Sequence, residues 1–153
     1  MHVVSLLSGR VLWSLNTEEL RPLSGLNVQR FVDEVLAHYS FLNFGDVSRA
    51  FGPNSDSPMQ FDTGSVSIDN EDINIIKMEF YSDGILVECH HTNDAVKVLN
   101  EFLGWAEDNF GLRRPCYGGT FQYLSQMVLD FEKDVEAGFG KFSPVQRTFD
   151  RFL

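Results

Sequence analysis

The sequence is poor in cysteine, proline and positive charge, and it contains no long apolar run. Its two cysteines, Cys89 and Cys116, are too few for a disulfide framework and form no CxxC pair. Two reduced, mostly buried thiols are therefore expected. Lys and Arg number 12 against 22 Asp and Glu, which leaves a formal net charge of -10. Phosphate neutralisation needs clustered Lys and Arg, so this balance argues against binding a nucleic-acid backbone. It argues equally against docking on an anionic membrane surface. No window approaches the roughly 18 apolar residues that span a bilayer. The opening stretch, residues 1–10, has no basic region ahead of its short apolar part and reads as a strand rather than a signal peptide. A cytoplasmic protein is expected.

What the chain does have is ordinary for a folded domain. The apolar fraction is 43% and the charged fraction 22% over 153 residues. That length suits a single domain, residues 1–153, burying roughly 70% of the surface the unfolded chain exposes. Fourteen Phe, four Tyr and two Trp supply a core, so disorder is not the main state.

Periodicity divides the chain into elements. Residues 3–15 are apolar on both alternating sets, which predicts a strand covered on both faces, with Gly9 marking a bend or bulge. After a break at residues 21–25, Val28, Phe31, Val32, Val35, Leu36 and Tyr39 fall at helical spacing and predict a helix over 27–39. Residues 52–58, with two of the five prolines, are a loop. Three strands follow as a meander near 60–68, 73–81 and 85–90. Residues 69–72 and Ser82-Asp83-Gly84 turn them, the Asp-Gly pair being a strong hairpin signal. Ile76, Met78 and Phe80 should share one face of the middle strand.

A second helix is expected to start at Thr92 or Asn93 and to end at Gly111, with a stripe of Ala95, Val98, Leu99, Phe102, Leu103, Ala106 and Phe110. Strict alternation over 121–131 predicts a long strand, and Ser143-Pro144 begins a last short helix. The order β-α-β-β-β-α-β-α implies an α+β fold: a mostly antiparallel sheet of about five strands with helices on one face. The chain stops on the apolar pair Phe152-Leu153, which suggests a firmly docked last helix or a cut from a longer chain.

Motifs that carry chemistry are scarce. Cys89-His90-His91 sets a thiol beside two imidazoles, as a nucleophile with its base or a set of metal ligands would require. On a strand, however, Cys89 and His90 point to opposite faces, and the remaining His and Cys have no ligand spacing. A core cysteine at a strand end is the preferred reading. Asp130, Glu132, Asp134 and Glu136 alternate, but Val135 and Lys141 stand where a calcium loop needs Gly and Glu. Residues 138–143 resemble a phosphate loop only until Val135 and Phe142 break the pattern. Neither a metal nor a cofactor is expected.

Aromatics outside core stripes mark contact surfaces. Trp105, beside Glu101 and Asp108, is one such residue; Tyr117, Phe139 and Phe142 in Gly-containing loops are others, and Phe149 and Phe152 line the last helix. These six are the candidate partner-binding residues. Together with the acidic charge they imply a non-catalytic interaction module: an adaptor, inhibitor, small chaperone or subunit of a homo-oligomer. Its partner would be a protein with a basic surface or a second copy. The alternative is a small enzyme or ligand-sensing domain centred on Cys89, His90 and His91.

Overall fold

The computed structural model describes residues 2–15, 17–20, 22, 25–45, 58–113 and 119–130. Along them run β1 (His2–Ser14), a 3-10 turn (Thr17–Leu20), α1 (Val28–His38), β2 (Asn43–Phe44) and β3 (Met59–Ile68). They continue with β4 (Glu71–Tyr81), β5 (Gly84–Cys89), α2 (Thr92–Phe110) and β6 (Thr120–Asp130). The fold is α+β, with six strands in the order β2-β3-β4-β5-β1-β6. The two-residue β2 was not expected from the sequence. The expected last helix, and with it Phe149 and Phe152, lies outside the described residues, as do Cys116, Tyr117, Phe139 and Phe142.

By contacts the chain divides into two compact units, Leu6–Gln126 and Met1–Ser5 with Met127–Leu153. Of the smaller unit, residues 2–5 and 127–130 are described, and they are strand ends of β1 and β6. The larger unit contains both helices and β2 to β5.

Hairpin chemistry sets the meander. Ile68 pairs with Glu71, so the β3–β4 loop is Asp69-Asn70, with φ of 54° and 65°. Positive φ at both positions is the primed turn that matches strand twist, and Asp and Asn adopt it at low cost. The next loop is Ser82-Asp83, because Tyr81 pairs with Gly84. The expected Asp-Gly turn is thus displaced, and Gly84 is the first residue of β5.

The side chains that alternate inward form one core beneath both helices. Val11 and Trp13 of β1, Phe61 of β3, and Ile85, Val87 and Cys89 of β5 meet Phe31, Val32 and Val35 of α1 and Val98, Leu99 and Phe102 of α2. Phe31 lies edge-on to both Phe80 of β4 and Phe102 of α2, so the two helices share one face of the sheet.

In β4 the expectation for Ile76 fails. The register shifts between Ile75 and Lys77, so the buried set changes from Ile73 and Ile75 to Met78, with Phe80 packed against the same core. One inserted residue moves the alternation by a place, as a bulge does.

Gly9 marks no bulge, since it pairs in unbroken register with Cys89. A Cβ there would collide with the backbone nitrogen of Thr92, so the glycine admits the start of α2 against the sheet. Nor is β1 covered along both faces, because Leu7 on one face and Arg10 on the other are exposed.

Asn27 caps α1, its side chain accepting from the Arg30 N–H at 3.1 Å. The N-cap position of α2 is His91 instead of Thr92 or Asn93, and its side chain makes no capping bond. Gly111 ends α2 in the left-handed region at φ 65°.

Candidate interaction surface

The two edges of the sheet differ. At one, β2 is only two residues long, a short strand of the kind that limits edge pairing. At the other, β6 runs for 11 residues beside β1. Phe121 stacks on Trp13 with ring centroids 5.6 Å apart and planes at 4°. Four residues further along β6, Ser125 Oγ lies 2.8 Å from Thr92 Oγ1, beside Gly9. As β6 advances β1 recedes, so the pair is antiparallel. These two contacts fix the inner side of the strand.

The outer side has no such partner among the described residues. Every described side chain from Thr120 to Val128 is exposed. Phe121 (44% exposed), Tyr123 (60%) and Leu124 (52%) are large apolar groups left in water. Strand alternation puts Phe121, Tyr123 and Ser125 on the helix side, and Gln122, Leu124 and Gln126 on the other. Residues 115–129 carry no charged side chain in a chain of net charge -10. Sequence reasoning found this strand but missed its exposure, because strict alternation reads equally well as one buried face. The uncharged run was the signal that pointed to it.

Trp105, the one described member of the expected contact set, is half-buried at the rim of the core. Its indole stacks on the His38 ring at 4.6 Å and meets Phe110 edge-on at 5.5 Å. Beneath it, Glu101 accepts a hydrogen bond from the Tyr39 hydroxyl and lies 2.9 Å from His38 Nε2. Tyr39 is wholly buried, and burial together with the neighbouring carboxylate raises its pKa. The group ties the C-terminal end of α1 to α2 through polar bonds and ring contacts.

Cys89 is buried in the core and unpaired, while His90 and His91 are exposed. Burial, reinforced by Asp94 and Glu88, pushes its thiol up to about 12, so no thiolate forms at neutral pH. Glu88, next to Cys89 in the sequence, meets Arg10 at 3.0 Å. Among the described residues no group of His, Cys, Asp and Glu could hold a metal ion. Of the alternating acids only Asp130 is described, and the segment at 138–143 lies outside the described residues. No helix among the described residues is long and apolar enough to cross a membrane.

Comparison of the chain with family models, with curated proteins and with solved structures finds no match.

Proposed function

We propose that the protein is a non-catalytic interaction module, an adaptor, inhibitor, small chaperone or assembly subunit, whose docking surface is the outer edge of β6. The observation that carries this reading is the long edge strand β6, uncharged from Thr120 to Leu129 and exposed on both faces from Thr120 to Val128, with Phe121, Tyr123 and Leu124 in water. An edge of this kind adds a strand from a partner: main-chain hydrogen bonds supply affinity, and alternating side chains supply selectivity. The buried neutral thiol of Cys89 counts against a nucleophile at the Cys89-His90-His91 cluster. The free thiol also suits a reducing compartment, and we assign the protein to the cytoplasm on that ground.

The test is photo-cross-linking in the producing cells. A photoreactive phenylalanine analogue replaces Tyr123, with Asp108 on the exposed side of α2 as the control position. Discrete cross-linked protein species from position 123 alone are expected. No cross-link there, or the same faint pattern from both positions, would falsify the docking reading.

A further inference from the structure

Resting on that reading, we infer that the occupant of the β6 edge is a second copy of this chain, joined by antiparallel β6–β6 pairing about a two-fold axis. Net charge is the first argument. Two copies carrying -10 each repel one another over most approaches. Residues 115–129 are an uncharged exception, and β6 from Thr120 to Leu129 lies within them. An edge shaped for a basic partner would carry Asp or Glu on its exposed positions. This strip carries Gln, Ser, Thr and apolar groups, which two copies can share without like charges meeting.

Self-complementarity is the second argument. A two-fold axis normal to the sheet keeps each face with its own kind, so it must lie midway between the two copies of one residue. With the axis at Leu124, Leu124 faces the partner's Leu124 and Gln122 faces the partner's Gln126. On the helix side Tyr123 then faces the partner's Ser125. Moving the axis to Tyr123 or to Ser125 sets a glutamine opposite each Leu124. Of these three axes, the one at Leu124 pairs amide with amide and leucine with leucine, and it lies at the middle of the uncharged strip of β6.

Preorganisation is the third. Phe121 is stacked on Trp13 and Ser125 is bonded to Thr92, so the strand is already ordered on its inner side. Little ordering cost then remains for the second copy to overcome.

The experiment is sedimentation velocity on the full chain over a wide concentration range, at low and high salt. A monomer–dimer equilibrium that tightens with salt is expected, because screening relieves the repulsion between the copies. Leu124→Lys should weaken it by about tenfold or more, since two ammonium groups then meet at the axis. Leu124→Cys, placed on the axis, should give a disulfide-linked dimer on mild oxidation. Circular dichroism of both variants checks that the fold is kept. A monomer at every concentration and salt overturns the inference, as does a dimer indifferent to Leu124→Lys when Leu124→Cys also fails to link. If the chain is monomeric but position 123 still cross-links to a different protein, the second copy is refuted and the docking surface stands. If both measurements are blank, both readings are lost.

Discussion

Proton affinities locate the chemistry of single residues. Cys89 is held up to about 12 by burial, Tyr81 to about 12 by burial and the Glu79 carboxylate that it bonds at 2.8 Å, and Tyr39 is raised as well. Each holds its proton more tightly folded than unfolded. Their contribution is therefore complete at neutral pH and falls once the unfolded chain starts to release protons, above about pH 9. The urea midpoint should drop between about pH 8 and about pH 10.5. A constant midpoint across that interval would mean that solvent reaches these groups in the folded state. Alkylation followed by peptide mapping gives a direct check on one of them. The Cys89 peptide should stay unmodified in native buffer and react once denaturant is added, and rapid native labelling would put the thiol outside the core. At the rim, Tyr39→Phe removes a hydroxyl bound to Glu101 and should cost about 1 kcal/mol, a modest figure because Glu101 is partly exposed.

Elements succeed or fail on how closely backbones approach. The helix α2 starts against β1 only because position 9 lacks a side chain. Gly9→Ala should therefore cost about 2–3 kcal/mol and lower the melting midpoint by about 5–10 °C, since the obstructing atom is backbone and cannot rotate away. A calorimetric midpoint unchanged by the substitution would show that α2 can slide along the sheet. The sequence disclosed that Gly9 was special but assigned the wrong cause, because a bulge and a close approach leave the same mark in a strand pattern. Strand limits were legible almost to the residue in β3, β4 and β5, where turn chemistry and alternation agree. The bulge in β4 was not: Ile73, Ile75 and Ile76 are equally apolar, so nothing local says where the alternation changes. The cap of α2 was misread for a related reason. Thr92 is a competent cap, yet its hydroxyl is engaged by Ser125, 33 positions away in the chain, and local pattern carries no trace of that partner. Trp105 was correctly placed off the main stripe, but only the stacked His38 on α1 shows what it covers.

At the scale of the whole molecule, charge is the dominant asymmetry. An excess of ten negative charges opposes compaction as well as association. Moderate salt should raise the melting midpoint by a few degrees as that repulsion is screened. A fall would mean that attractive pairs such as Lys97 with Glu71, 2.7 Å apart, outweigh the net repulsion. Chain order sets a second, temporal asymmetry. The segments that build α1 and the β3–β4–β5 meander find most of their sheet partners nearby in sequence. Strand β1 does not: about eighty residues separate Gly9 from its partner Cys89. Its other neighbour, β6, comes later still. On the ribosome, β1 is thus made before the other strands of this sheet and is one of the last to be placed. Until β5 emerges, an apolar strand waits without a sheet to join, so the nascent chain depends on whatever shields that segment during synthesis.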